Sequence, residues 1–179
     1  MIIRRYCRIC ESNKLDVVIS LGQQKITSIF PLFGEHTKIP TSPVNLCICS
    51  ECGLIQLQET FNADSMYKNG NYGYNSGISN TMRQHLKQYN NEICGKVSLN
   101  KEDTVLDIGS NDATFLKYYN NDINKIGVDP TGEQFKDQYS NIDLLSDYFT
   151  KENFINTFGD IKCKIITSIC CFYDLPNPV

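Results

Sequence analysis

The chain has 179 residues, of which 41% are hydrophobic and 21% are charged, a composition typical of a folded globular protein. Its net charge is −3 and its Lys and Arg residues are dispersed, which excludes the basic stripe of a nucleic-acid-binding surface. It has no run of about 18 apolar residues, and its N-terminus lacks the apolar core of a signal peptide. The sequence therefore predicts no nucleic-acid partner and no membrane partner, and it favours the cytoplasm.

Residues 1–60 are predicted to form a small β-rich domain that depends on a metal ion. They hold five of the nine cysteines, in two clusters, and short strand-like runs such as Val17–Leu21, which ends at Gly22, and Leu54–Leu57. The apolar content is too small to support an independent core. In a reducing compartment, clustered cysteines are more often metal ligands or buried thiols than disulfides.

Two C-x2-C motifs supply the predicted zinc ligands, which are Cys7 and Cys10 in the first motif and Cys49 and Cys52 in the second. Two thiolates three residues apart on a tight turn can both reach one ion at about 2.3 Å. Gly53 allows the second turn to close. Four thiolates fill a tetrahedral coordination sphere and leave no position for water, so the expected zinc is structural.

Two other side chains are candidates for the same metal. Cys47 is excluded because Cys49 and Cys52 have the two-residue spacing. His36 stands alone in a loop, where a histidine is more often solvated. Four buried free thiols remain the alternative to a metal site.

Residues 61–100 are predicted to form a bridge that consists of a loop and a helix. The segment Lys68–Gly77 is rich in Gly, Asn and Tyr, which indicates a loop. Ser76 or Ser79 can cap the helix that follows. Apolar residues recur along it at spacings of three and four, which predicts one buried face formed by Ile78, Met82, Leu86, Tyr89, Ile93 and Val97.

Residues 101–179 form the third predicted segment, in which strands alternate with helices. The predicted strands are Thr104–Ile108, Lys125–Asp129, Ile142–Leu145 and Lys164–Ile169. The predicted helices are Asp112–Tyr119, Thr131–Tyr139 and Thr150–Phe158, with Thr131 as a cap. Alternation of apolar strands with helices indicates a parallel sheet covered on both faces, and the fold class is α/β.

Asp107 and Gly109, at the end of the first of these strands, resemble the cofactor loop of Rossmann-class methyltransferases, which implies binding of S-adenosylmethionine. Asp107 can pair with the positive charge of the methionine amino group, Gly109 lets the backbone approach the cofactor, and Asn111 belongs to the same turn. A dinucleotide site would need G-x-G-x-x-G, and only Gly109 matches a glycine of that pattern. Acids at Asp107 and Asp112 would also repel a pyrophosphate, so an NAD-dependent oxidoreductase is disfavoured.

Two further acids follow the next two strands. Asp129 is positioned to bind the two ribose hydroxyls of a nucleotide cofactor, and a helix cap beside Pro130 is the alternative. Asp147 lies where an adenine contact is expected, and a loop with a packed aromatic side chain is the alternative.

The motifs together resemble the sugar C-methyltransferases that act on nucleotide-linked keto-deoxysugars, and the resemblance covers essentially the whole chain. The segments that carry it are Cys7–Cys10, Cys49–Leu54, Tyr72–Ser79, His85, Asp107–Asp112, Ile166–Ser168 and Phe172–Pro176. The resemblance implies a zinc domain followed by a partial Rossmann-like class I methyltransferase fold. It also implies methyl transfer from S-adenosylmethionine to a sugar carbon beside a ketone, through an enolate.

The resemblance also implies roles for individual residues. Tyr74 matches the family's tyrosine near the reacting sugar, with a packed loop aromatic as the alternative. His85, on the following helix, is the second catalytic candidate, and a structural role is its alternative. Ala113 stands where the family has a glycine. Family members are much longer than this chain, so it is expected to be a truncated front portion that is inactive alone and needs a missing C-terminal half or a companion chain.

A non-enzymatic function is the alternative to the methyltransferase. In that interpretation the chain is a zinc-ribbon interaction module fused to a degenerate nucleotide-binding fold. Failure to bind S-adenosylmethionine would favour it.

Overall fold

The computed structural model describes residues 1–26, 29, 31–36, 38–68 and 72–175. The chain divides into two compact units, Met1–Gly73 with Tyr173–Val179, and Tyr74–Phe172. Residues 69–71 of the predicted loop, and Pro176 of the C-terminal motif, lie outside the described residues. The predicted segment boundaries 1–60, 61–100 and 101–179 stay a prediction. No described helix is long and apolar enough to cross a membrane.

The first unit contains two small antiparallel sheets. Strand β1 (Ile2–Ile3) pairs with β5 (Glu59–Thr60), and β3 (Thr41–Cys49) lies between β2 (Leu15–Lys25) and β4 (Ile55–Leu57). A five-residue helix, α1 (Ala63–Tyr67), follows, and the side chain of Asn62 caps it by accepting from the Asp64 N–H. This architecture matches the β-rich domain that the sequence predicts.

Strand β2 is longer than the predicted strand Val17–Leu21. The prediction that the strand ends at Gly22 was wrong, because β2 continues to Lys25. Gly22 has a φ of 66° and lies in a register shift between Ser20 and Gln23, so it forms an irregularity within the strand. Glycine adopts this left-handed conformation without the strain of a side chain.

The second unit begins with a long helix, α2 (Asn80–Lys96), in the predicted position. The Ser79 hydroxyl caps it and accepts from the Met82 N–H at 3.3 Å. Of the apolar residues on the predicted face, Leu86 is fully buried, whereas Ile78 precedes the helix and is exposed. One side of α2 therefore packs on the core and the other side faces water.

A four-stranded parallel sheet forms the centre of the second unit. Its strand order is β8-β7-β6-β9, with β6 at Thr104–Ile108, β7 at Asn124–Val128, β8 at Asp143–Leu145 and β9 at Cys163–Thr167. The predicted third helix is present as α3 (Lys151–Phe158) and is capped by Thr150. Adjacent residues of β6 point to opposite faces, so Val105 belongs to one apolar cluster and Leu106 to another.

Two of the predicted helices are shorter 3-10 segments in the structure. The segment predicted as Asp112–Tyr119 is helical only over Leu116–Tyr118. Asn111 and Ala113 have φ values of 50° and 59°, so the backbone cannot enter a right-handed helix where the sequence pattern places its start. The left-handed conformation of Ala113 explains why a glycine suits this position better.

The second of these segments, predicted as Thr131–Tyr139, is a 3-10 segment over Gly132–Gln138. Thr131 does not cap it with a side-chain hydrogen bond. Its hydroxyl donates to the Asp129 carboxylate at 2.5 Å instead. Gly132 packs so closely on Leu144 that a Cβ would lie 2.6 Å from Leu144 Cδ1.

Candidate metal centre and candidate cofactor loop

The structure brings together the four cysteines that the sequence predicts as ligands. All four Sγ atoms lie within 4.8 Å of one another. Cys7 Sγ lies 3.6 Å from Cys52 Sγ, and Cys10 Sγ lies 3.6 Å from Cys49 Sγ. A tetrahedron with metal–sulfur bonds of about 2.3 Å has sulfur–sulfur edges of about 3.8 Å, so the cluster fits one zinc ion.

The two cysteine turns have matching backbone geometry. The Glu11 N–H donates to the Cys7 carbonyl at 3.1 Å, and the Gly53 N–H donates to the Cys49 carbonyl at 2.8 Å. Both closing residues are left-handed, with φ values of 58° at Glu11 and 75° at Gly53. Glycine adopts this conformation freely, whereas a residue with a Cβ is disfavoured there by about 1–2 kcal/mol. The first turn is therefore the strained one.

The acidity of the four thiols is unequal. Burial opposes ionisation of Cys7, but N–H groups of Cys10 and Ile9 and the neighbouring thiols lower its pKa to about 6. The Cys52 N–H lowers the pKa of Cys49, whereas the pKa of Cys10 is raised because burial and its neighbours in the cluster outweigh the Ser12 N–H. A divalent cation bound by the cluster would favour all four cysteines as thiolates.

The two competing candidates lie outside this cluster. Cys47 is fully buried and its thiol donates to the Gln56 carbonyl at 3.3 Å. Burial raises the pKa of Cys47, which keeps it a thiol. His36 is exposed and does not belong to the group of potential ligands found in the described part of the chain.

The predicted cofactor residues lie along one edge of the parallel sheet. Asp107 is in β6 and Gly109 directly follows it, Asp129 directly follows β7, and Asp147 lies two residues after β8. These strands are neighbours and parallel, so their carboxyl ends share an edge. Ligands of open α/β sheets bind at this edge.

Asp107 is almost completely buried, with 3% of its surface exposed. The Thr167 hydroxyl, on the neighbouring strand β9, donates to it at 2.7 Å. Burial raises the pKa of Asp107 to about 7, the Thr167 hydrogen bond opposes this, and the charge of Asp129 adds to it. A cation bound beside this carboxylate would favour its ionised form.

The Asp129 carboxylate already accepts three hydrogen bonds. Oδ2 accepts from the Asn111 N–H at 2.8 Å, while Oδ1 accepts from the Thr131 N–H at 2.7 Å and from its hydroxyl. A carboxylate has about four acceptor positions, so one remains for a ligand. In this state Asp129 could bind one ribose hydroxyl but not the predicted two.

The side chains of Asn111 and Asp112 hold the loop that carries Tyr74. Asn111 Oδ1 accepts from the Ser76 N–H at 2.9 Å, and its Nδ2 donates to the Tyr74 carbonyl at 3.1 Å. Asp112 Oδ2 accepts from the Gly77 N–H at 2.7 Å, and a Cβ on Gly77 would lie 2.7 Å from that oxygen. The Asn111 side chain therefore positions a loop, while its backbone N–H donates to Asp129 and its carbonyl accepts from the Tyr139 hydroxyl.

Gly109 is required by a close contact. Its φ is 79°, and a Cβ there would lie 2.7 Å from Cys171 Cβ. The space beside the glycine is thus filled by a cysteine of the same unit.

The remaining predicted residues have different environments. Tyr74 is 46% exposed, and its backbone is fastened to the turn after β6. His85 is exposed on α2 and its ring stacks on Tyr89 with centroids 6.4 Å apart. Asp147 is partly buried and accepts from the Tyr148 N–H at 2.8 Å.

Sequence reasoning missed three residues that support these sites. Thr167 bonds Asp107, and only knowledge of the strand order could have found it. The Tyr139 hydroxyl donates to the Asn111 carbonyl at 2.7 Å and lies 2.9 Å from the Ser110 hydroxyl, although the pattern indicates only a helix residue. Glu11 closes the first cysteine turn, where its position after Cys10 matches that of Gly53 after Cys52.

Removal of one ligand should release the metal. We expect Cys49→Ser to lose zinc and to unfold the first unit, because metal binding and folding are coupled in such domains. Elemental analysis should give about one zinc per wild-type chain and far less for the variant. Cys94→Ser, an exposed cysteine of α2, is the matched control and should keep its zinc. A wild-type chain without zinc that still folds would contradict this prediction.

Asp107→Asn should change how stability depends on pH. The pKa of Asp107 rises on folding from 3.8 to about 7, so the unfolded chain ionises at lower pH. Its contribution is complete below about pH 4 and lost as pH rises through about 7. Between about pH 5 and 8, we expect the wild type to lose roughly 2–3 kcal/mol of unfolding free energy relative to the variant.

Hydrogen exchange of the β6 and β7 amides during urea unfolding would measure this loss in the sheet itself. Asp143→Asn removes an exposed carboxyl of the same sheet and should leave the profile unchanged. Parallel profiles for the wild type and Asp107→Asn would show that Asp107 is not protonated in the folded state.

Comparison with known proteins identifies the first unit most directly. Residues 7–67 match a methyltransferase family model described as "Putative zinc binding domain". This match contains all four clustered cysteines.

A curated relative extends the similarity along the chain. The sequence is 23% identical over 128 residues to the C-methyltransferase NovU of Streptomyces niveus. The match covers 69% of this chain and 30% of the relative, so the chain spans well under half of that protein. The two comparisons support the resemblance that the motifs indicate, because the first unit is similar to a zinc-binding domain of methyltransferases and the chain is similar to part of a C-methyltransferase.

Proposed function

We propose that the second unit is a partial Rossmann-like fold that binds S-adenosylmethionine for a C-methyltransferase. The observation that carries this proposal is the strand order. In chain order the sheet reads third, second, first and fourth strand, as in the first four strands of a doubly wound sheet. The acids Asp107, Asp129 and Asp147 follow the order of its neighbouring strands at the edge where such sheets bind ligands.

The chemistry of these side chains suits a cationic cofactor. Asp107 and Asp129 are both buried and act on each other electrostatically, which is unfavourable until a positive charge arrives. Asp107 would bind the amino group, Asp129 one ribose hydroxyl, and Asp147 the adenine. Gly109 and Asn111 would line the site by contact alone, because their N–H groups donate to the Val128 carbonyl and to Asp129. When bound, S-adenosylmethionine supplies an activated methyl group, so the protein's part is positioning and proton transfer.

The proposed methyl acceptor is a nucleotide-linked keto-deoxysugar. Tyr74 is half-exposed and its backbone carbonyl accepts from the Asn111 amide, which supports the proposal that its hydroxyl stabilises an enolate or relays a proton. His85 is the second candidate for acid–base chemistry. The curated relative from Streptomyces niveus is named a C-methyltransferase, which supports transfer to carbon.

A non-enzymatic module remains the second candidate function. One observation favours it, because the side chains of Asn111 and Asp129 are largely satisfied by the protein itself. A loop whose polar side chains are bonded within the protein would suit an interaction module with a degenerate nucleotide-binding fold. Whether the chain binds S-adenosylmethionine distinguishes this module from the methyltransferase.

Calorimetry with S-adenosylmethionine, and with NADH as the control ligand, tests the cofactor assignment. We expect binding of S-adenosylmethionine alone, weakened at least tenfold, or about 1.4 kcal/mol, in Asp107→Asn. Asp143→Asn, which removes an exposed carboxyl, should bind as the wild type does. Preference for NADH would contradict the assignment as a methyltransferase. Binding of neither ligand would favour the non-enzymatic module.

We also propose that the chain alone does not methylate a sugar at a useful rate. It spans 30% of its relative, and general-base catalysis supplied elsewhere would be worth roughly 10²–10⁴-fold. The test uses labelled S-adenosylmethionine and a panel of nucleotide-linked 4-keto-deoxysugars, with and without a C-terminal companion chain. We expect turnover only with the companion. Robust turnover by the chain alone would contradict this proposal and would mean that the acid–base groups lie within the chain. Tyr74 and His85 would then be the first residues to substitute.

A further inference from the structure

Helix α2 buries a polar side chain in the second unit. The buried residues of this helix are Leu86 and Asn90, and Asn90 is only 3% exposed. The Cys94 thiol, one turn later, donates to Asn90 Oδ1 at 3.8 Å, whereas Asn90 Nδ2 has no hydrogen-bond partner in the described part of the chain. A buried N–H group that has lost its contact with water is costly until it finds an acceptor, so Nδ2 favours a ligand that carries one.

The Tyr119 hydroxyl is a second buried donor of this kind. Tyr119 is 4% exposed, and its ring packs edge-on against Phe115 with centroids 5.7 Å apart. Its hydroxyl also lacks a hydrogen-bond partner among the described residues. Burial raises the pKa of Tyr119, and the nearby Asn90 amide, which forms no hydrogen bond with it, opposes this only in part. The hydroxyl therefore keeps its proton and can donate it to an acceptor.

Both donors belong to residues that line one cavity. Its volume is about 520 Å³, within the range of small-molecule sites. The lining residues Leu99 and Lys101 precede β6, and Asp122 and Ile123 precede β7. The cavity therefore lies at the amino ends of these parallel strands, opposite the edge proposed for the cofactor. Leu99 and Ile123 give it an apolar wall.

The charges around the cavity are of both signs. Lys101 and Asp122 are exposed and both line it. Cys94 and Val97 place the C-terminal end of α2 in its wall, where the helix dipole is negative. A simple anion would suit the buried donors and Lys101, but Asp122 and the end of α2 would repel it. A ligand that carries both charges avoids this repulsion.

We propose that this cavity binds a free α-amino acid with an apolar side chain, whose carboxylate accepts from Asn90 and Tyr119. Hydrogen bonds to a carboxylate are stronger than those between neutral groups, which suits two donors that are buried without partners. The ammonium group faces Asp122 and the end of α2, and the apolar side chain contacts Leu99 and Ile123. The site uses none of the residues assigned to S-adenosylmethionine, so it does not rest on the proposed function.

The test is calorimetry on the full zinc-loaded chain with L-leucine and L-phenylalanine. Isocaproate and hydrocinnamate are the matched analogues that lack the amino group, and isoamylamine and phenethylamine are those that lack the carboxylate. We expect at least one of the two amino acids to bind. Both of its analogues should bind at least tenfold more weakly, because each loses one of the two charges that the cavity pairs.

Two variants remove one buried donor each and change the shape of the side chain little. Since neither donor has a partner in the described structure, Tyr119→Phe and Asn90→Leu should unfold in urea at the same midpoint as the wild type or a higher one. We expect each to weaken amino-acid binding at least tenfold. Tyr89→Phe removes a hydroxyl from a tyrosine of α2 that is 40% exposed, and it should bind as the wild type does.

Three outcomes would overturn the amino-acid site. They are no binding of either amino acid, equal affinity for an amino acid and its two analogues, and full affinity in both Tyr119→Phe and Asn90→Leu. Binding should survive Asp107→Asn, and its loss in that variant would mean that the amino acid occupies the cofactor edge instead, which would also overturn the site. A chain that binds S-adenosylmethionine but no amino acid would contradict this site and leave the proposed function intact.

Discussion

In the described part of the first unit, the fully buried apolar side chains are all cysteines, namely Cys7, Cys47 and Cys49. The valines and isoleucine of strand β2, in contrast, are about half exposed. A sheet with so little aliphatic burial cannot offset the conformational entropy of folding by the hydrophobic effect alone. Bonds between the four thiolates and one metal ion would supply the missing free energy, and they would join the start of the chain to the end of β3. The remaining contacts of the unit depend on that junction.

The second unit is organised around the turn that follows β6. Backbone groups of Asn111 bond Asp129 and Tyr139, its side chain bonds the loop at Tyr74–Ser76, and Asp112 bonds Gly77. One turn thus connects the ends of two strands with a loop some 35 residues earlier in the sequence. Such a turn can place a half-exposed tyrosine and two buried carboxylates in fixed positions, which is what catalysis by positioning requires.

Much of this architecture could be predicted from local patterns. The paired C-x2-C spacing indicates the cysteine cluster, and the apolar runs indicate the strands, because both signals lie within a few neighbouring residues. The start of the helical segment Leu116–Tyr118 could not be predicted, since it depends on left-handed backbone at Asn111 and Ala113, which helix propensity does not report. The availability of Asn111 and Asp129 to a ligand could not be predicted either. Their hydrogen-bond partners are distant in sequence or belong to the turn geometry, so composition gives no sign that the groups are occupied.

The unequal closing residues of the two cysteine turns bear on how metal would leave and enter the protein. Glu11 holds a conformation that glycine adopts without strain at the equivalent position, whereas exposure is alike in the two turns, with Cys7 and Cys49 buried and Cys10 and Cys52 exposed. Release of Cys10 would relax the left-handed backbone at Glu11, so opening of the first turn would cost less than opening of the second. A chelator would then meet an ion still held by the second turn and by Cys7. Exchange of the metal ion would therefore begin with release by the Cys7–Cys10 pair, while the Cys49–Cys52 pair still binds the ion.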